Sequence, residues 1–441
     1  MLDAQLADRR EHLSDNHVAL TERMMERDGH AVAQAGGLDR RLQIRQQLGI
    51  AGNPVTHNAS GHDGLLRCGR CIRALIGTND VIADLFGQLA AQTVFDKNYP
   101  RDIDLVRKPG KLGGIMYMIK LYTIIHKLRG YDIVQLINPM FLELKAERIF
   151  PIYQYLRKHN KKVILGGFGM DYYWVNVCCK DKPLRYSDFN MGKELRTNAD
   201  ALKERKDWLE TEKGRLNLMI AEDCDGIVTG LYEYWACYQP SFPQKTTFIP
   251  FPIKPQFITS ENSNSYIHVE NHQVLPLNTP KKVKLFIGIN KSRSEYKGTD
   301  IMLKAAQAIA KKYPDKTELQ IAENIPFVEY VKIMNGSDAI LDQLYSYTPS
   351  MNPLEAMARG IICIGGGEPE NYEIIHEDKL RPIINVLPNY ESVYQELEHL
   401  VLHPELIPLL KQQSIEYINK HHDYIKVAER YEAFYQKLLI Q

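Results

Sequence analysis

NPLEAMARGIICIGGGEPENYE, residues 352–373, reads as a helix over Asn352–Arg359, a buried strand over Ile361–Ile364 and a turn of three glycines. Pro353 stands where the first turn of a helix tolerates it, because the missing N–H has no helical partner there. A short apolar run closed by glycine is the pattern of a strand buried on both faces. Ligands of open α/β sheets bind outside the carboxyl ends of the strands. Gly365, Gly366 and Gly367 stand at that edge, where a turn lacking Cβ atoms lets backbone N–H groups approach phosphate or sugar oxygens. Glu355 lies close by, and a carboxylate there can accept hydrogen bonds from the two hydroxyls of a ribose. Glu370, after the glycines, adds acidic character to the same edge.

Working outward, the same alternation recurs on both sides. Upstream in the second half it gives a strand over Val283–Ile289, a helix over Thr299–Lys312 and a strand over Ala339–Leu344. In the first half it gives strands over Tyr131–Asn138, Lys162–Gly167, Asp225–Gly230 and Thr246–Pro250, with a helix over Pro151–Asn160 and a charged helix over Asn198–Glu222. Strand–helix alternation of this kind implies parallel sheets. The stretch Lys254–Pro280 is rich in Ser, Asn, Pro and Thr without a period, as expected of an exposed connection. The expected organisation is therefore an atypical segment over 1–95, a Rossmann-like domain over 96–255, a second over 256–420 and a closing helix over 421–441. No opening strand with a glycine-rich turn is evident in residues 1–95.

Bulk properties agree with two doubly wound domains. A chain of 441 residues exceeds one ordinary core, and 44% apolar with 25% charged residues is the balance of a globular enzyme. With 55 basic and 54 acidic side chains the net charge is +1, which argues against nucleic acid as a partner, so any anion site must be local. Seven cysteines at irregular spacing, and no apolar core in Met1–Arg10, lead to the expectation of reduced thiols in the cytoplasm. Cys68 and Cys71 make one C-x-x-C, half of a zinc site without a second pair.

Cations stand where the fold would use them. Asn290–Gly298, NKSRSEYKG, lies between an expected strand and an expected helix and brings Asn290, Lys291, Arg293 and Lys297 to a phosphate-binding βα turn. Such cations together with a helix N-terminus can neutralise a diphosphate leaving group.

Taken together, PLEAMARG, the strand and glycine turn that follow it, and the Lys297–Gly298 pair resemble the GT-B glycosyltransferases, within them the large retaining group called family 4. The resemblance covers about residues 96–441. It implies two Rossmann-like domains facing a cleft with closing C-terminal helices, and transfer of a sugar from a nucleotide-sugar donor to a glycan or lipid-linked acceptor. It implies no catalytic metal and no cofactor beyond the donor itself. By the same resemblance Lys297 and Arg293 contact the diphosphate, and Glu355 contacts the ribose. GGFGMD (166–171) is similar to the family's H-G-x-D loop without its His, which makes Asp171 a candidate to orient an acceptor hydroxyl or the donor sugar.

Two departures stand out. The family often carries a Glu eight residues before the position of Glu355, and this chain has Tyr347 there; Asp342 or Glu370 are the acidic residues nearby in sequence. The first 95 residues do not resemble an N-terminal glycosyltransferase domain. A catalytically inactive nucleotide-sugar binder, or an epimerase or hydrolase on the same scaffold, are the rival readings. Tyr172, Tyr173 and Trp174 are read either as core or as a platform for a sugar ring. Lys108–Lys120, KPGKLGGIMYMIK, is read either as a solvated loop and core helix or as a contact with an anionic membrane at the inner face of the plasma membrane.

Overall fold

The computed structural model describes residues 75–76, 105, 107–253, 279–323, 325 and 327–441. Cys68 and Cys71 lie outside them, as does the stretch 254–278 in which a domain boundary is expected.

The first sheet has five strands, all parallel, in the order β1-β2-β3-β6-β7. These are β1 (Leu75–Ile76), β2 (Ile133–Leu136), β3 (Lys162–Gly167), β6 (Gly226–Thr229) and β7 (Thr246–Phe248). Every residue of β2 and β6 is buried, as a parallel strand covered on both faces requires. β1 falls within the stretch expected to lack a strand: Leu75 stands opposite Gln135 and Ile76 opposite Leu136. Two residues are too short a run to register as a strand signal in sequence.

Around this sheet lie α1 (Gly110–Ile124), α2 (Ala146–His159), α3 (Tyr172–Lys180), α4 (Ala199–Trp208), α5 (Glu212–Asp223) and α6 (Tyr232–Tyr238), with the hairpin β4 (Asn190–Met191) and β5 (Glu194–Leu195). Two expectations are corrected. α2 begins at Ala146, so Pro151 sits inside it; burial of Ile149, Ile152, Tyr153 and Leu156 offsets the lost backbone bond. The charged helix of 198–222 is two helices, broken where Glu210 takes a positive φ of 58° and Thr211 caps α5 by accepting from the Gly214 N–H.

The second sheet, order β11-β10-β8-β9, is also parallel throughout. It comprises β8 (Val283–Ile289), β9 (Thr317–Glu323), β10 (Ala339–Leu341) and β11 (Ile362–Ile364). Its helices are α7 (Ser294–Lys297), α8 (Thr299–Lys312), α9 (Phe327–Asn335), α10 (Met351–Ala358) and α11 (Pro369–Ile374), followed by α12 (Tyr390–Leu402) and α13 (Ile407–Tyr417). β9 was not expected. It is an edge strand of sequence TELQIAE in which only Thr317 and Ala322 are buried, so neither an apolar run nor a clean alternation marks it.

The last helix, α14 (Tyr424–Ile440), returns to the first sheet. Its Phe434 and Leu438 lie over Gly226, where a Cβ would come within 2.8 Å of the Phe434 ring. Tyr435 donates to Gln135 of β2 at 2.7 Å.

Candidate functional site

β8 delivers the chain into the basic turn. Asn290 is exposed at the strand end, and Lys291 is drawn aside into an ion pair with Glu323 of β9. Arg293 and Lys297 are both half-buried, at the two ends of the single turn α7. The Arg293 guanidinium carbon lies 5.3 Å from the centre of the Tyr296 ring. Among the described residues the Lys297 ammonium has no hydrogen-bond or ion-pair partner.

Gly298 explains why the pair is Lys-Gly. It links α7 to α8 with a φ of +73°, a conformation that costs an L-residue about 1–2 kcal/mol. A Cβ there would stand 2.9 Å from the Leu344 Cβ and 3.0 Å from the Tyr345 ring. The Leu344 N–H donates to the Lys297 carbonyl at 2.9 Å, so the loop after β10 buttresses the turn that carries the cation.

Beside this turn comes the glycine loop after β11. Gly365 and Gly366 have φ of +111° and +69°, and a Cβ on Gly365 would meet the Gln343 carbonyl at 2.6 Å. The loop's amides are mostly spent within the protein. Gly365 donates to the Ile384 carbonyl, Gly367 to Asn385 Oδ1 and Glu368 to the Tyr347 carbonyl. Among the described residues only the Gly366 N–H of this turn has no partner.

Glu355, on α10, is 2% exposed and accepts from Arg359 at 2.7 Å, and Arg359 also donates to Asn335. A ribose hydroxyl would have to displace or share the guanidinium. Asp342, at the end of β10, is paired with Asn352 at 3.1 Å, and Tyr330 donates to the same amide group.

Tyr347 is 1% exposed, and its surroundings come from the first half of the chain. The segment Leu184–Arg196 crosses over to the second sheet's loops. Arg185 binds Glu370 in a two-pronged fashion, at 2.5 and 3.1 Å, and Glu368 at 2.7 Å, while its guanidinium carbon lies 5.1 Å from the Tyr347 ring centre. Tyr186 hydrogen-bonds Glu368 through its hydroxyl and packs its ring 4.8 Å from that of Tyr347. Burial pushes the Glu370 carboxyl upward, but the Arg185 bonds outweigh it and hold the group below its ordinary value. Farther along, Arg196 donates to the carbonyls of Glu295 and Tyr296 and stacks 3.6 Å from the Tyr345 ring centre. Asp188 accepts from both the Tyr296 hydroxyl and the Trp174 indole. Burial raises its carboxyl to about 6.

A carboxylate does reach the Tyr347 loop, from the first half of the chain: Glu233, in the first turn of α6, is 4% exposed and accepts from Ser346 Oγ (3.0 Å), the Tyr347 N–H (2.5 Å), the Thr348 N–H (3.2 Å) and Thr348 Oγ1 (2.5 Å). Three of these donors meet Oε1 and one Oε2, so the carboxylate holds the 346–348 loop. Arg185, Tyr186, Asp188, Arg196 and Glu233 escaped the sequence reading. Their partners in the second half of the chain lie about a hundred residues or more away, and no local spacing signals them.

Asp171 is fully buried and caps α3, accepting the Trp174 N–H at 2.8 Å on one oxygen and the Tyr238 hydroxyl at 2.8 Å on the other. Its carboxylate is thus engaged on both oxygens within the protein. Burial raises it to about 7. Tyr173 and Trp174 are core residues, and Tyr172 is half-buried beside them. Asn138 is likewise buried, donating to the Met170 carbonyl at 3.2 Å and supporting the same loop.

The five described cysteines, including the buried pair Cys178 and Cys237 at 3.9 Å, are free thiols. Among the described residues no group of three or more His, Cys, Asp or Glu is placed to hold a metal ion, and no helix is long and apolar enough to cross a membrane.

No protein-family model and no curated protein matches the sequence. Solved structures match the fold. HepE of Anabaena, crystallised with UDP and glucose, superposes with a TM-score of 0.50 at 10% identity over 87% of this chain and 97% of its own. Sucrose-phosphate synthase of Thermosynechococcus elongatus gives 0.46 at 12% identity, covering 74% and 78%. TarM of S. aureus gives 0.45 at 12% identity over 72% of this chain, which spans 59% of TarM's length. The chain has the GT-B glycosyltransferase fold.

Proposed function

We propose that the protein transfers a sugar from a nucleoside-diphosphate donor to a glycan or lipid-linked acceptor, without a metal and with retention of configuration. The observation that carries this reading is Lys297: an ammonium with no partner among the described residues, fixed by Gly298 at the strand ends of the second sheet. In the transfer, the bond from the anomeric carbon to the diphosphate oxygen breaks as the acceptor oxygen bonds to that carbon. The acceptor's proton leaves with the departing phosphate. Arg293 and Lys297 neutralise the charge that develops on the diphosphate, the term on which such catalysis chiefly rests. Glu355 holds the ribose once Arg359 yields, and the Gly366 N–H supplies a donor from the glycine turn. Glu370 and Asn290 line the donor site.

Replacing Lys297 with Ala tests this directly. Diphosphate release from a nucleotide sugar should fall by about a hundredfold or more, as when one oxyanion donor is lost, with the melting temperature unchanged. A folded variant with full activity would refute the assignment.

Tyr347 favours a second reading. Its buried ring and the Arg185–Glu368–Glu370 cluster stand where the family often places a carboxylate, which fits a binder of sugar nucleotides that does not turn them over. That reading requires saturable nucleotide binding with no diphosphate released under any acceptor.

A further inference from the structure

We propose that the outer face of α1 docks on an anionic lipid membrane. α1 buries Gly113, Tyr117 and Leu121 on one side. On the other, Leu112 is 73% exposed, Ile115 and Met116 57%, and Ile119 and Tyr122 53%. Their spacing of three and four residues places these five side chains on a single stripe of the helix. Apolar surface of this extent on one helix, without a partner among the described residues, is the mark of an interaction site rather than of ordinary scatter.

Charge identifies the occupant. From Leu105 to Tyr131 the sequence has no Asp or Glu, and Arg107, Lys108, Lys111, Lys120, Lys127 and Arg129 are all exposed. At 100° per residue, Lys111 and Lys120 fall on opposite flanks of the apolar stripe. The chain as a whole carries a net charge of only +1, so this cluster is a local feature. An apolar stripe between two cationic margins matches hydrocarbon beneath a layer of anionic headgroups, where the stripe buries its area and the lysines meet phosphates. Beside the stripe, Ile115, Ile119 and Tyr122 line an open groove together with Arg148 of α2. The 15 residues of α1 span about 22 Å, short of the roughly 30 Å of a bilayer core, so the helix lies on the surface and does not cross it.

This inference does not rest on the transfer reaction, and its test uses no nucleotide. The full chain is co-sedimented with vesicles of phosphatidylcholine alone and of phosphatidylcholine with one-quarter phosphatidylglycerol. Binding to the anionic vesicles should be at least about tenfold tighter and should weaken as salt rises from about 0.1 M to 0.5 M. Ile115→Glu with Ile119→Glu should lower it by about tenfold or more with the melting temperature unchanged, since both side chains are exposed. Lys108→Ala with Lys111→Ala should remove part of the preference for anionic lipid and leave the fold intact. Absence of binding to either vesicle, or equal binding by the Ile115→Glu/Ile119→Glu variant, overturns the proposal. So does a concentration-dependent dimer abolished by that variant, which would assign the face to a second copy of the chain.

Discussion

Arg185 lies with its guanidinium carbon 5.1 Å from the centre of the Tyr347 ring while its N–H groups hold Glu368 and Glu370 on the far side of the glycine turn. One side chain from the first half of the chain thus fastens both loops that border the candidate donor site. Where the family often places a carboxylate, this protein has an aromatic ring covered by a cation, and the acidic residues nearby are already paired.

Arg185→Ala should cost about 1–2 kcal/mol, because it leaves Glu368, 5% exposed on its side chain, with one partner fewer. Urea denaturation measures it. Arg185→Lys should recover less than half, since a single ammonium cannot reproduce the two-pronged grip on Glu370. A lysine variant as stable as the parent would show that charge alone is needed.

Glu233→Gln should be the more damaging change, about 2–3 kcal/mol. The glutamine amide presents one oxygen and two N–H donors to four donors that now share a carboxylate. The same variant should weaken nucleotide binding by displacing the loop around Tyr347. Stability within about 0.5 kcal/mol of the parent would contradict the clamp.

Gly298→Ala should destabilise by about 2 kcal/mol, from the left-handed backbone and the contact with Leu344 together. Because the strain falls on the turn that holds Lys297, affinity for a nucleoside diphosphate should drop as well. Chemical denaturation and nucleotide titration of the same preparation separate the two effects.

Stability should depend on pH through Asp171. Its carboxyl is raised to about 7 by burial, from 3.8. Between about pH 4 and 7 the folded chain therefore holds a proton that the unfolded chain releases, and stability falls as pH rises through that window, then levels above it. The slope from one such group is at most about 1.4 kcal/mol per pH unit. Asp171→Asn keeps the oxygen that caps α3 and cannot titrate. Subtracting its stability curve from that of the parent should isolate this slope; parallel curves would show that Asp171 is ionised when buried.

The parallel sheets were legible because their strands are buried on both faces. Lys162–Gly167, Val283–Ile289 and the helix Thr299–Lys312 have the bounds the apolar pattern gave them. Edge and fragment strands were not: β9 buries only Thr317 and Ala322, so its sequence has no apolar run, and Leu75–Ile76 is too short to carry a period. In the candidate site, the Lys297–Gly298 turn and the glycines after β11 were readable because backbone geometry there demands glycine. The roles of Asp171 and Glu233 were not. One carboxylate is spent on a helix cap and the other on a loop more than a hundred residues away, and only the tertiary fold decides which.

The central claim, that the second half holds a nucleotide-sugar donor through Lys297, is tested most directly by melting the full chain with UDP, GDP and ADP. A ligand that binds only the folded state at a hundred times its dissociation constant adds about 2.7 kcal/mol. One of the three should raise the melting temperature, and Lys297→Ala should melt like the parent when alone but lose that shift, because its ammonium gives up no partner among the described residues. Glu355 is a poorer probe, since removing it also takes from the half-buried Arg359 its ion-pair partner. No shift with any of the three nucleotides, in protein shown to be folded, would contradict the account.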